Sequence, residues 1–266
     1  MNKKIRAALI VLLALVLVGS LGMLLRQSMQ YRAAEESYTQ AKELAEPFPP
    51  PVEEPEEPTE EEPVEEEAPA PADEYAAELQ NKDIDALREV NSDVLGWIEI
   101  PGTAISYPLV QGTDNQYYLE HTWKKEASSV GSIFLEAKSS ADLSDFNTVV
   151  YGHRMLNGSM FASLKYYKDQ SYWAEHPYVY ITDGQVCRRY EIFAAYEVSI
   201  TGTTYQIGFP DEESKQAFLD TCTGWSVIDT DVTPTVQDQI LTLSTCTGNG
   251  HATRWVVQAV LENRGE

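Results

Sequence analysis

The sequence predicts a mainly β domain whose strands close into a barrel, placed behind an N-terminal apolar helix. Three observations lead to this prediction. Short runs rich in β-branched and aromatic residues recur after residue 94, and turn residues separate them. Two longer helical patterns interrupt these runs, but strand and helix do not alternate as they do in a parallel sheet. A nearly uninterrupted apolar run fills residues 7–25.

The N-terminal run has the length and flanks of a membrane span. Three basic residues lie within the first six positions, and Arg26 closes the run. A spanning helix needs about 20 apolar residues, whereas a secretory leader uses about 7–15. We therefore predict that residues 1–30 form a cytoplasmic tip and a single transmembrane signal anchor, with the basic end inside the cell and the rest of the chain outside. A cleaved signal peptide is the alternative, and it exports the same part of the chain.

The next segment is rich in charge and proline. Residues 31–46 are polar with Ala, Glu and Lys and can extend the helix, which Pro47 would end. Residues 49–71 consist largely of Pro and Glu. Such a composition cannot form a buried core, and repulsion between the like charges keeps the segment extended. We predict an extracellular stalk over residues 31–72 and a folded domain over residues 73–266.

Within the folded domain, hydrophobic periodicity predicts the elements in order. Helical spacing predicts one or two helices over residues 73–94, a short helix after a turn at 113–119, and helices at 159–176 and 211–219. Alternation of apolar and polar residues, or short apolar runs bounded by turn residues, predicts strands at 97–100, 105–110, 131–135, 148–151, 178–181, 189–196, 240–246 and 255–261. Asp183-Gly184 between two of these strands suits a type I′ turn.

Three residues with complementary chemistry lie where predicted strands end. Cys246 ends the strand at 240–246, Arg254 precedes the following strand, and His153 follows the strand at 148–151 after a glycine. A thiol attacks carbonyls as thiolate and needs a neighbouring base or cation at neutral pH. Cys as nucleophile, His as acid and base, and Arg as donor to an oxyanion form a complete set for acyl transfer.

At these residues the chain resembles the sortases, the cysteine transpeptidases of Gram-positive cell surfaces. The resemblance rests on Thr-Leu-Ser-Thr-Cys at 242–246, on Arg254, and on Val-Val-Tyr-Gly-His at 149–153. It covers roughly residues 75–263. The stretch at 147–153 and the long helical insert before the strand of the cysteine are most similar to class B members. The resemblance implies a closed β-barrel and a site made of Cys246, His153 and Arg254, with no cofactor.

The same resemblance implies residues that bind a peptide. In class B sortases, the residues equivalent to Asn115 and Leu119 help line the peptide groove, and the segment of Thr204 and Tyr205 forms one of its walls. An Asx turn is an equally good interpretation of Asn115. Strand alternation puts Ser244 on the face of Cys246, where its hydroxyl can bond a substrate backbone or a cross-strand neighbour.

The net negative charge of the chain limits the classes of partner that we expect it to bind. Residues 1–72 hold six Lys or Arg and fourteen Glu, so they carry −8 of the net −23, and the other 194 residues carry −15. An acidic domain argues against nucleic acid or an anionic membrane surface as a partner, because both need clustered basic residues. It is compatible with amine-bearing acceptors and basic peptides. No His, Cys or carboxylate cluster has the spacing of metal ligands, so we expect no metal.

The other cysteines and histidines leave some assignments open. Three cysteines are too few for a disulfide framework; Cys187 and Cys222 suit buried small side chains, although a bridge between them is compatible with the sequence. His251 lies between Cys246 and Arg254 and is a second candidate base. No acidic residue follows the nucleophile within residues 247–250, so a carboxylate partner for His153 comes from elsewhere or the site works without one.

The function implied by the resemblance is cleavage of a C-terminal sorting signal after Thr. The signal expected for class B is Asn-Pro-Gln-Thr-Asn or a Pro-x-Thr-Gly variant. The thioacyl intermediate then passes to an amine of a peptidoglycan precursor, which anchors surface proteins to the wall. Three alternatives remain: a sortase that polymerises pilins, a secreted cysteine protease, and a noncatalytic wall-binding module.

Overall fold

The computed structural model describes residues 3–47, 73–247 and 252–262. Three helices precede the barrel: α1 (Lys3–Leu44), α2 (Glu74–Gln80) and α3 (Ile84–Val90). Asp73 and Asp83 cap the two short helices, because their carboxylates accept hydrogen bonds from the backbone N–H groups of Ala76 and Ala86. The one or two helices predicted over residues 73–94 are therefore two.

Eight strands form a closed barrel, which confirms the predicted fold class. The strands are β1 (Val94–Glu99), β2 (Ser106–Val110), β3 (Ile133–Leu135), β4 (Asn147–Tyr151), β5 (Tyr178–Thr182), β6 (Cys187–Ser199), β7 (Ile240–Cys246) and β8 (Thr253–Leu261). Their order around the barrel is β1-β2-β3-β4-β7-β8-β6-β5, and β5 closes it against β1. The pairs β2–β3 and β4–β7 are parallel, and the other pairs are antiparallel.

Two hydrophobic clusters hold the strands in place. The larger cluster fills the barrel, with Leu109, Ile133 and Leu243 fully buried, and extends to residues of α1 and α3 that pack on the strands. The smaller cluster lies where α5 (Glu212–Trp225) packs on the outer face of β6 and β8, with Phe218 and Tyr196 at its centre. Burial on both faces fixes the register of β7 and β8, whose ends carry the predicted site.

Two local predictions differ from the structure. The helix predicted over residues 159–176 is a 3-10 segment, Ala162–Lys168, followed by the short helix α4 (Gln170–Glu175). The turn between β5 and β6 is four residues long, and of its residues only Gly184 has a positive φ, so it is not the predicted two-residue type I′ turn. The Asp183 carboxylate instead accepts hydrogen bonds from the N–H groups of Gln185 and Val186.

Helix α1 continues past its apolar part and packs on the barrel. One stripe of its last turns is buried, with Ala34 at 2% exposure and Ala41 and Ala45 at 0%. The Trp123 indole donates to the Ser37 carbonyl at 3.0 Å. The spacing of this stripe at three, four or seven residues is that of one helix face. The last turns of α1 are therefore part of the folded body.

This packing concerns the first part of the predicted stalk. Residues 31–44 are the last turns of α1 and lie on the barrel, and the Asp83 N–H donates to the Ala45 carbonyl at 3.2 Å. The Pro- and Glu-rich residues 48–72 lie outside the described residues, so for them the stalk stays a prediction.

The apolar part of α1 has the properties of a membrane span. By length and composition, Leu12–Leu44 is long and apolar enough to cross a membrane, and its most apolar part is not buried by the rest of the protein. The large apolar side chains from Leu12 to Met29 are exposed.

We expect a fragment of residues 28–266 to be much more stable than one of residues 73–266, because the shorter fragment uncovers Trp123 and the core side chains that α1 covers.

A matched pair of variants tests the packing of α1 on the barrel directly. Ala34→Arg forces a charge into the interface and should cost about 3 kcal/mol or more, or about 5–10 °C in Tm. Ala33→Arg, at the exposed neighbouring position, should leave Tm nearly unchanged. Thermal unfolding followed by circular dichroism decides; equal Tm values for the two variants would contradict the packing.

Candidate active site

The predicted site residues meet because of strand register. On the antiparallel pair β7–β8, Cys246 lies opposite Arg254. On the parallel pair β4–β7, Tyr151 lies opposite Ser244, and the Gly152 N–H donates to the Ser244 carbonyl at 3.1 Å. This bond extends the pairing by one residue, so that His153 leaves the barrel beside the end of β7.

A buried polar network on the outer face of the barrel, on the side where α5 packs, holds these three strands together. Asn147 of β4 accepts a hydrogen bond from the Thr242 hydroxyl of β7 at 2.7 Å, and Gln258 of β8 donates to the same hydroxyl at 2.9 Å. Tyr196 of β6 donates to Gln258 at 3.0 Å. Hydrogen-bonded polar groups in a core fix one arrangement, because any shift leaves a buried donor or acceptor without its partner.

The site residues open into one cavity of about 550 Å³, which we name the catalytic cavity. Its walls combine the three predicted chemical groups with aromatic and aliphatic side chains. It is lined by Asn115, Leu119, Phe134, Tyr151, Gly152, His153, Ile200, Tyr205, Ser244, Thr245, Cys246 and Arg254. This volume is in the range of pockets that bind small ligands or a few residues of a peptide.

The imidazole of His153 is held from both ring nitrogens. Nε2 lies 2.8 Å from the Leu119 carbonyl oxygen, which can only accept, so Nε2 carries a proton. The side chain of His153 also hydrogen-bonds the Cys246 thiol, and Nδ1 is the nitrogen left for that contact. Gly131 packs against this arrangement: a Cβ there would lie 2.7 Å from the Leu119 oxygen and 2.8 Å from Cδ2 of His153.

The electrostatics of the site favour an ionised pair. The hydrogen bond from His153 lowers the pKa of the Cys246 thiol below its ordinary value, with a further contribution from the charge of Arg254 and against the effect of burial. The hydrogen bond with Cys246 raises the pKa of His153, again against burial. Each shift favours the charged form of its group, thiolate on Cys246 and imidazolium on His153.

Arg254 lies beside the nucleophile and is oriented by the backbone. Its Nη1 donates to the carbonyl of Thr253 at 3.0 Å, and its side chain lines the catalytic cavity with Cys246. A guanidinium beside the nucleophile has the charge and the N–H donors that oxyanion stabilisation requires.

The predicted peptide-binding residues are divided between the cavity and the interior. Asn115, Leu119, Tyr205 and Ser244 line the cavity, and the hydroxyls of Tyr205 and Ser244 are 2.9 Å apart. The Thr204 side chain is not among the lining groups: it is fully buried, and its hydroxyl contacts the Tyr196 hydroxyl at 3.1 Å. Its position gives no support to a peptide contact.

Several features of the site had no signal in the sequence. The Leu119 carbonyl supplies the partner of His153 that the sequence left open, and a backbone oxygen is common to every residue type. Phe134, Tyr151 and Ile200 line the cavity from other elements. Tyr151 did have a signal in the sequence: it lies two residues before His153, and alternation along a strand places residues two apart on the same face.

The remaining sequence predictions concern residues around this site. Cys222 lies on the buried face of α5 at 1% exposure, and burial raises its pKa to about 11; Cys187 is half-buried in β6. His251 and the loop at 248–250 lie outside the described residues, so the second candidate base stays a prediction.

Comparison with known proteins places this arrangement in a family. A family model described as the Sortase domain matches residues 98–262. Sortase B of Listeria monocytogenes is 38% identical over 160 residues, which are 60% of this chain and 65% of that protein. The chain thus spans a little less than two thirds of the length of this curated relative.

Solved structures give the same result for the fold. The crystal structure of sortase B from B. anthracis in complex with AAEK1 superposes with a TM-score of 0.70 at 32% identity, over 89% of this chain and 99% of that one. A Staphylococcus aureus sortase B–substrate complex gives a TM-score of 0.65 at 32% identity, over 68% of this chain and 85% of that one.

We expect the pH at which Cys246 becomes reactive to rise when either neighbour is removed. His153→Ala should raise the pKa of the thiol more than Arg254→Gln, because the histidine hydrogen bond is the larger cause of its lowering. The rate of iodoacetamide alkylation against pH measures this, in a Cys187→Ser background and with Cys246→Ala as the blank. The rate rises as pH passes through the thiol pKa, so the wild-type curve should lie at the lowest pH. If the wild-type curve lay at the same pH as that of His153→Ala, or at higher pH, the assignment of His153 as the partner of the Cys246 thiol would be contradicted.

Gly131→Ala tests how tightly His153 is held. The new Cβ must displace the Leu119 oxygen or the imidazole, so the alkylation curve of Cys246 should move to higher pH and peptide cleavage should fall about tenfold or more. Gly158→Ala is the matched control, because Gly158 also has a positive φ, 89° against 63°, but has nothing within 4 Å of the added carbon. Both changes carry similar backbone strain, about 1–2 kcal/mol. Only Gly131→Ala should move the alkylation curve; a shift with Gly158→Ala would attribute the effect to strain.

Proposed function

The chain belongs to the sortase family, and on that premise we propose that it is a cysteine transpeptidase of the class B type. The observation that carries the proposal is the convergence of Cys246, His153 and Arg254 on one cavity at the ends of three neighbouring strands. Each supplies one function that acyl transfer needs: a nucleophile, a proton donor and acceptor, and a donor to the oxyanion.

In the first half of the reaction, the Cys246 thiolate attacks the carbonyl carbon of the signal's Thr. The carbonyl oxygen becomes an oxyanion, and the guanidinium of Arg254 stabilises it. When the tetrahedral intermediate collapses, the C–N bond breaks and imidazolium His153 protonates the departing amine. The products are a thioester on Cys246 and a neutral imidazole, whose orientation the Leu119 carbonyl maintains.

In the second half, an amine attacks the thioester carbon. Neutral His153 accepts the proton of the attacking amine, the C–S bond breaks, and the thiolate is restored together with the imidazolium. The new amide joins the cleaved protein to the acceptor, for which we propose an amine of a peptidoglycan precursor. The signal that we propose is Asn-Pro-Gln-Thr-Asn or a Pro-x-Thr-Gly variant, in keeping with the similarity to class B.

We further propose that the chain is a single-pass membrane protein with its N-terminus in the cytoplasm and its barrel outside. The exposed apolar part of α1 and the basic residues before it support this. The residues 31–45 then lie on the barrel, so the proposed anchor continues directly into the folded body.

The alternative of a secreted cysteine protease uses the same residues but ends with water as the acceptor. The experiment that separates the two incubates the protein with quenched peptides carrying each proposed signal, with and without triglycine. We expect cleavage after Thr, ligated product when triglycine is present, and loss of both in Cys246→Ala by at least about 10³-fold.

Cys222→Ala is the control, since it removes a buried thiol that does not line the catalytic cavity. Cleavage that survives in Cys246→Ala would overturn the assignment of the nucleophile. Cleavage without any ligated product would favour the protease, and inertness toward all the peptides would favour the wall-binding module.

A further inference from the structure

A second cavity lies directly beside the catalytic cavity. The residue that follows each of the three proposed catalytic residues in the chain lines it: Arg154, Thr247 and Trp255. Neighbouring residues of a strand point to opposite faces, so the two cavities lie on either side of the same strand ends. Each of these three residues is the chain neighbour of a residue that lines the catalytic cavity, so the Cα atoms of each such pair are about 3.8 Å apart.

This cavity, of about 310 Å³, is basic, and we name it the basic cavity. Arg154, Lys165 and Lys168 supply three positive charges, and Glu197 is the single acidic residue among the described residues of its lining. Within residues 73–247 and 252–262, none of the three cations forms an ion pair. The ammonium of Lys165 lies 4.7 Å from the centre of the Tyr166 ring.

The charge of the basic cavity is opposite to that of its surroundings. Residues 73–266 carry a net −15, yet three cations gather here without carboxylate partners of their own. Like charges repel at short range, so such a cluster is favoured where an anion binds between the charges. Solvent-exposed lysines scattered over the rest of the domain would have served solubility equally well.

We propose that the basic cavity binds an anionic group, a carboxylate or a phosphate, on the amine that resolves the thioester. This inference rests on the proposed transpeptidase function and specifies its second substrate as an amine that also carries negative charge. The anion held by Lys165, Lys168 and Arg154 places the amine against the thioester on Cys246. The amine nitrogen then forms the new amide bond, the C–S bond breaks, and His153 takes the amine proton.

Competition between paired acceptors tests the inference on the full-length protein in detergent. A signal peptide is incubated with equal amounts of triglycine and triglycine amide, and in a second arm with O-phosphoethanolamine and ethanolamine. Mass spectrometry gives the ratio of ligated products within each pair. Both acceptors of a pair react with the same acyl-enzyme, so differences in acylation cancel from the ratio. We expect the anionic member to be favoured about tenfold in at least one arm, and that arm identifies carboxylate or phosphate.

The double variant Lys165→Gln, Lys168→Gln should reduce that preference to below about twofold, as should 1 M salt. The control is Lys82→Gln, Lys138→Gln, which removes the same charge from one half-buried and one exposed lysine elsewhere and should keep the preference. Ligation of the neutral acceptor shows that each variant is folded.

Three outcomes are distinguishable from the expected one. Equal use of both acceptors by the wild-type protein would overturn the inference and leave the transpeptidase intact. A preference that persists in the Lys165, Lys168 variant would also overturn it, since the anion would then be held elsewhere. Cleavage without ligation of any acceptor would overturn the proposed function itself, and with it this inference.

Discussion

The hydrogen bond between His153 Nε2 and the Leu119 carbonyl is the constraint on which the site depends. It fixes the tautomer and the plane of the imidazole, and it leaves Nδ1 for the thiol. After the hydrogen bond with Cys246, it is a further cause that raises the pKa of His153, because a carbonyl oxygen binds the N–H of the charged ring more strongly than that of the neutral ring. The barrel supplies the rest: β4 and β7 run parallel, so the histidine and the cysteine leave the same rim, and β8 returns with Arg254 opposite Cys246. A backbone acceptor in this place makes a carboxylate partner unnecessary for orientation.

The chemical residues of the site were predictable from sequence because each lies where a strand pattern stops. Alternation of apolar and polar residues identified the ends of β4, β7 and β8. Thiolate chemistry together with the resemblance to the sortases then selected Cys246, His153 and Arg254. Residue type does not encode a carbonyl, so the role of the Leu119 backbone was not predictable. Thr204 shows the opposite limit. Its segment does form a wall through Tyr205, but which of two adjacent side chains faces the cavity is decided by a short 3-10 turn, Thr203–Tyr205, that periodicity cannot resolve.

The last turns of α1 show why the boundary of the folded body was not predictable. Ala34, Ala41 and Ala45 make its buried stripe, and alanines among glutamates carry a weak hydrophobic signal. Small residues here allow close approach of the helix to the barrel, and the affinity comes from larger groups on the other side, such as Trp123 and Tyr107. The Tyr38 hydroxyl donates to the carbonyl of Gly131, the residue that packs against His153. A helix that sequence assigns to a spacer therefore supports the segment behind the imidazole.

With the proposed membrane topology, the continuity of α1 would determine where the proposed reaction takes place. The apolar run ends at Leu25, and the first side-chain contact with the barrel is at Gln30, where Ser129 donates at 3.3 Å. Five residues of helix rise about 7.5 Å, so the barrel would rest at the level of the lipid headgroups. In a bilayer the catalytic cavity would then keep a constant height, and enzyme and membrane-borne substrates would meet by lateral diffusion in two dimensions. A cleavage site could react only if its own distance from the membrane matched that height, which makes the span of a substrate's tether a criterion for selection beside its sequence.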